Sequence, residues 1–232
     1  MSGSQATMFG ELGALLLTDA RLPIGGHAYS AGLEPGLHAG MSIAQVPDYL
    51  QARLRTVGLV EASATVLAHR AGHTSPDSPD GLTAVHEALS ARTPSAPLRE
   101  VSTMLGRGLT RLASRLWPDH PAVIHLTALD EPPLRPIAFG TVAAIMGATE
   151  TQAARASLYD DAQTVASAAL KLAPVDPVDA TGWVLEAEPL LESLLTRTVA
   201  VQTPDDLPAL TAPQSEQWSL DHADKTRRIF VA

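Results

Sequence analysis

Two stretches of this sequence hold side chains whose types and spacing could do chemistry. In His69-Arg70-Ala71-Gly72-His73, two imidazoles lie four residues apart. On a helix that spacing places both rings on one face, the arrangement by which a histidine pair meets a metal ion. Gly72 marks a helix end between them, and no neighbouring carboxylate in the sequence completes a ligand set. A structural or solvent-exposed pair is therefore the preferred reading, with ligation as the alternative. The second stretch is Asp19 to Glu34, D-A-R-L-P-I-G-G-H-A-Y-S-A-G-L-E. Pro23 fixes one φ and Gly25-Gly26 permit positive φ, so a specified turn is expected there. Paired glycines can aim successive N–H groups into an anion-binding nest. They can also let two helices approach closely, the reading that local physics favours. A helical metal-dependent hydrolase would need His27, His69 and His73 to converge around an ion with a position open for water. Asp160-Asp161 reads as a solvated helix face, and Trp117 and Trp183 read as core or rim packing.

Many catalytic frameworks are missing. The sequence holds no G-x-x-x-x-G-K-[ST], no H-E-x-x-H, no G-x-S-x-G and no G-x-G-x-x-G with an acidic ribose ligand. It has no cysteine, which excludes disulfides, thiolate zinc sites, iron–sulfur clusters and a cysteine nucleophile.

The elements that must position these residues read as helices separated by Pro and Gly. Leu12, Leu15 and Leu16 form an apolar stripe on a helix expected over residues 8–20. Ser42-Ile43-Ala44-Gln45 is a capping box, opening a long amphipathic helix on which Val46, Leu50, Leu54, Val57, Val60, Ala64 and Leu67 recur. That helix should end near Gly72, with a connector of turn formers over residues 73–81. Helices are expected around 82–91 and 98–117, and the proline-rich stretch 118–136 reads as a loop. The apolar run PIAFGTVAAIMGA fits a buried helix. Thr149 and Gln152 form a second capping box, opening a helix to about Leu172, and a last helix spans roughly 179–201. No series of alternating strands is visible. The reading is an all-α, single-domain helical bundle over residues 1–203 with a flexible tail over 204–232, of the kind that a partner orders.

Composition narrows the partners. The 232 residues carry 16 Lys+Arg against 25 Asp+Glu, a net charge of −9. Nucleic acid is an unfavourable partner, because phosphate neutralisation needs a clustered basic surface. The N-terminus lacks a basic n-region before its short apolar run, and nowhere do 18 apolar residues run uninterrupted. A cytoplasmic protein that does not enter the membrane is expected.

The stretch D-x-x-x-P-I-G-G-x-A-x-S-x-G-L-E resembles the N-terminal signature of the UreF-type urease accessory proteins. RPIAFGTVAAIMGATETQAARASLYDDAQTVASAALKLAP is similar to that family's apolar helix followed by a long helix and a Lys-Leu-x-Pro-like end. HADKTRRIFVA resembles the family's His-x…Arg-[LI]-Phe tail. The resemblance implies a non-enzymatic, all-α assembly factor that forms homodimers and joins UreD/UreH and the GTPase UreG. Such a complex acts on apo-urease to install its two-nickel centre. Nickel and GTP are handled by the partner complex, and no cofactor is bound stably by the chain itself. Carried onto this sequence, Pro23, Gly25, Gly26, Tyr29, Ser30, Gly32 and Glu34 would shape the dimer and the surface offered to partners. Lys171 would touch the GTPase, and Arg227, Arg228 and Phe230 would anchor the tail. Tyr29 stands where many members have His, and His27, the one candidate for a metal contact, where many have Phe. Asp176-Pro177 replaces their Gly-Gln. These departures leave room for a UreF-like interaction module without a urease partner.

Overall fold

Helices form every regular element in the computed structural model, which describes residues 3–74, 80–223, 225 and 228–230. The chain opens with α1 (Gly3–Leu17) and an irregular stretch, then α2 (Leu33–His38). The first capping box forms, with the Ser42 N–H donating to Gln45 Oε1 at 2.9 Å, and starts a short 3₁₀ turn. There follow α3 (Val46–Arg53), one π turn over Leu54–Gly58, and α4 (Leu59–Thr74). The long amphipathic helix is thus interrupted once, at a wide turn of the sort often found beside functional residues.

Next come α5 (Asp80–Ala91), α6 (Ala96–Leu116), α7 (Pro121–Thr127), α8 (Arg135–Ile145) and α9 (Glu150–Leu172). Helix α7 corrects the expectation that residues 118–136 are loop throughout. Pro121 needs no N–H partner in a first turn, and His120 Nδ1 accepts the Ala122 N–H at 3.2 Å. Helix α8 is buried from Arg135 to Ala144, as its unbroken apolar sequence predicts. The second capping box opens α9. The expected last helix is in fact two, α10 (Pro177–Glu186) and α11 (Glu188–Ala200). The chain breaks at Ala187 because Pro189 cannot continue the hydrogen-bond ladder. The segment after residue 203 contains a further helix, α12 (Pro213–Ala223).

Two apolar clusters hold these helices. One joins α4, α5, α6 and α8 through Leu67, Leu89, Leu109, Ile137, Phe139 and Val142. The other joins α2, α3, α4, α9 and α11 through Leu33, Leu50, Leu59, Leu158, Val165 and Leu194. The α1 stripe does not belong to either. Leu12, Leu15 and Leu16 are 52%, 69% and 41% exposed, so the face expected to pack points outward. The buried face carries Gly10 and Gly13 instead. A side chain at Gly10 would stand 2.2 Å from the Gly147 carbonyl oxygen, so only glycine allows this approach.

Burial also sets how stability depends on pH. His86 is buried on α5, both ring nitrogens without a partner among the described residues, and burial pushes the pKa of His86 and His69 below 6.5. The unfolded chain takes up these protons near pH 6.5 while the folded chain resists, so stability is complete above that pH and falls below it. Urea unfolding at about pH 7.5 and about pH 5.5 should show this loss, and His86→Leu should flatten it. Burial raises the pKa of Glu61 and Asp160, which act in the opposite sense. The comparison of His86→Leu with the parent therefore isolates the histidine. An unchanged pH slope would refute its role.

Candidate functional site

The stretch after α1 is built by local bonds. Asp19 accepts from the Arg21 N–H and Nε at 2.9 Å and from Nη2 at 2.7 Å. These bonds, the side-chain ones first, hold its carboxyl at about 2. The Pro23 carbonyl accepts from Arg111 of α6 at 3.2 Å. Gly25 then adopts φ +87°, and Gly26–Ala28 make one 3₁₀ turn. The N–H groups of Ala28 and Tyr29 are taken by the Gly25 and Gly26 carbonyls, at 3.0 and 3.1 Å. Close helix approach is not what the glycine pair serves, since nothing lies within 4 Å of where either side chain would begin. The requirement is conformational and falls on Gly25 alone. Gly25→Val should therefore lose about 1–3 kcal/mol, whereas Gly26→Val should stay close to the parent in thermal unfolding. Equal losses at the two positions would contradict this.

From Tyr29 onward the chain turns inward. Ala31 and Gly32 have φ of +53° and +81°. The Tyr49 hydroxyl donates to the Ala31 carbonyl at 2.6 Å, and Ser30 Oγ accepts the Glu34 N–H at 3.3 Å. These contacts bury Ser30, Gly32 and Glu34, so they shape the backbone from inside. The Glu34 carboxylate meets the far end of the chain. Oε1 accepts the Ile229 N–H at 2.7 Å and Oε2 accepts the Phe230 N–H at 2.8 Å. Such bonds to an ionised acceptor are stronger than neutral ones. Buried His222 of α12 lies 3.5 Å from Oε2.

Phe230 is buried, and Lys171 Nζ sits 5.2 Å from its ring centroid, within cation–π range. The same Nζ donates to the His27 carbonyl at 3.2 Å. His27, Glu34, Lys171 and Phe230, far apart in sequence, thus form one assembly. Of the other tail candidates, Arg228 is exposed, and Arg227 lies outside the described residues.

Behind this assembly is a recess of about 370 Å³ whose lining includes Ile24, His27, Tyr29, Arg135, Lys171 and Phe230. Next to the recess, sharing Tyr29, Arg135 and Asp160 with its lining, is an ionic network absent from the sequence-based expectations. Arg53, 5% exposed, donates through Nε to Asp161 Oδ1 at 2.9 Å and through Nη2 to the Tyr29 hydroxyl at 3.1 Å. Arg135 donates to Glu61 at 3.3 Å and to Asp160. Burial pushes the Tyr29 phenol up, and it raises the Glu61 and Asp160 carboxyls against the opposing pull of Arg135. Asp161 is 4% exposed, which corrects the reading of Asp160-Asp161 as a solvated face. The signal was present in the helical spacing. Asp161 falls on the same face of α9 as Leu158 and Val165, and Arg53 on the face of Leu50.

The candidate histidines are not gathered into one site. His69 and His73 stand together, with ring centroids 5.0 Å apart, while His27 is exposed beside Lys171. Among the described residues no group of three or more His, Asp or Glu is arranged to hold a metal ion. Trp117 packs against the first apolar cluster and Trp183 against the second, in keeping with a packing role. No helix among the described residues is long and apolar enough to cross a membrane.

The fold is all-helical among the described residues, and its signature stretch and C-terminal segment close on each other through Glu34. The UreF family model matches residues 41–188. Urease accessory protein UreF of Mycobacterium sp. (strain JLS) is 34% identical over 220 residues, covering 94% of this chain and 97% of the relative. The proteins of that name from Mycobacterium marinum (strain ATCC BAA-535 / M) and Mycobacterium tuberculosis (strain ATCC 25618 / H37Rv) are 33% and 32% identical over the same shares. The chain belongs to the UreF family of urease accessory proteins, which assist an enzyme and are not enzymes themselves.

Proposed function

We propose that this chain is a scaffold in urease maturation, acting with UreD/UreH and the GTPase UreG on apo-urease while the two-nickel centre is installed. Nickel and GTP are handled by the partner complex, and the chain holds no stably bound cofactor. In this reading it works in the cytoplasm as a homodimer, away from nucleic acid and membrane, and residues 204–232 contact the partners. The observation that carries the reading is the clasp between Glu34 and the backbone of Ile229 and Phe230. Near it Lys171 meets the exposed His27 beside the turn at Pro23, Gly25 and Gly26, and Arg228, next in sequence to Ile229, is exposed. Exposed arginine forks are among the residue types that dominate protein interfaces.

The test is reconstitution of purified apo-urease, UreD/UreH, UreG, GTP, nickel and bicarbonate with and without this protein. Activation should require the full chain, and equal activation in both mixtures would refute the scaffold role. A chain ending at Ala223 keeps α12 and should stay folded by circular dichroism while losing most of the activation. Failure of the full chain to capture UreD/UreH in a pull-down would favour an interaction module without a urease partner.

A further inference from the structure

Helix α4 ends in a pair of imidazoles, the inner of which has one ring nitrogen without a partner among the described residues. His69 is 4% exposed, and its Nε2 lies 2.6 Å from the Ala148 carbonyl oxygen. A carbonyl can only accept, so Nε2 carries the hydrogen and donates it, leaving the lone pair on Nδ1. That Nδ1 is buried and has no hydrogen-bond partner among the described residues. One turn further on, His73 is exposed, its ring centroid 5.0 Å from that of His69 and its plane inclined by 55°.

Metal-binding imidazoles are held in this way, with one nitrogen tied to a carbonyl that fixes tautomer and orientation and the other left as a lone pair. The spacing agrees. Metal–nitrogen bonds of about 2 Å place two imidazole centroids on one ion roughly 4.5–5.5 Å apart. Ring packing alone would account for the distance but would leave the Nδ1 lone pair buried and unused. Arg70, a cation beside the pair, is engaged by the Glu150 carboxylate at 2.7 Å and by the Val199 and Val201 carbonyls. Glu150 in turn places negative charge close to both rings.

We infer that His69 Nδ1 and His73 form a two-imidazole site for one divalent first-row transition-metal ion, with water in the remaining positions. Imidazole suits Ni²⁺, Cu²⁺ and Zn²⁺ and is a poor ligand for Mg²⁺ and Ca²⁺. Two protein ligands make the ion exchangeable, so the site is one of passage or regulation. It does not rest on the scaffold reading and survives or fails apart from it.

The experiment is titration of the untagged full-length protein with NiCl₂ and with ZnCl₂ by calorimetry, alongside ¹H–¹⁵N spectra recorded with Ni²⁺. One ion per chain should bind, with paramagnetic broadening centred on residues 69–73 and Ala148, and excess Mg²⁺ should not displace it. His73→Ala, an exposed position, should keep the fold and weaken binding at least about tenfold, as loss of one of two ligands demands. His27→Ala should leave affinity unchanged. Broadening centred elsewhere, undiminished affinity in His73→Ala, or no binding at all would each overturn the site.

Discussion

Arg53→Met should destabilise the protein by about 3–5 kcal/mol, because it removes one partner of a buried ion pair and strands the other. Arg53 and Asp161 are 5% and 4% exposed and lie 2.8 Å apart at their closest pair of atoms. Asp161 Oδ2 has no hydrogen-bond partner among the described residues, so with the Arg53 guanidinium gone the buried carboxylate loses the cation that is hydrogen-bonded to it. The Tyr29 hydroxyl loses its donor in the same step, which loosens the turn leading to the C-terminal clasp. Denaturant unfolding measures the loss directly. A buried pair is costly to break but need not be stabilising overall, because both charges have been taken out of water. The double change Arg53→Met/Asp161→Leu should therefore recover most of the stability. A single variant within about 1 kcal/mol of the parent would show that water reaches the network and screens it.

Glu34→Ala should release the C-terminal segment while leaving the helices in place. Two backbone N–H groups lose an ionised acceptor, and hydrogen bonds to charged groups contribute about 1.5–3 kcal/mol each. Each 1.4 kcal/mol is a factor of ten. The Ile229 and Phe230 amides should then exchange with deuterium about a hundred-fold faster or more, whereas amides of buried α8 keep their protection. Glu34→Gln retains an acceptor oxygen without the charge and should fall between the two. In reconstitution the order of activity should follow the order of protection. Unchanged exchange at Ile229 and Phe230 in Glu34→Ala would mean that burial of Phe230 alone holds the segment.

The helical class was legible because its signals are local. Capping boxes at Ser42 and Thr149 act within one turn, and the apolar run of α8 announces its own burial. The errors share a different cause. The α1 stripe is read from leucines, but the packed face is lined by Gly10 and Gly13, whose value lies in the close approach of Gly147 to the first and of Met146 to the second. Asp161 looked solvated because acidic side chains usually are, and only Arg53, 108 residues away, makes its burial tolerable. The break at Ala187 is legible in Pro189, which removes a helical donor two residues on.

The sequence by itself determined that this chain is helical, lacks thiol and nucleotide-loop chemistry, and carries the signature, long-helix and tail motifs of its family. Those properties rest on residue types and on spacings within a few turns. The tertiary structure alone decided that Glu34 accepts from Ile229 and Phe230, that Lys171 bridges His27 and the Phe230 ring, and that the lone pair of His69 is left free beside His73. Hydrogen bonds and ion pairs act over a few ångströms of space regardless of distance along the chain. Their partners therefore become definite only when packing brings the segments together.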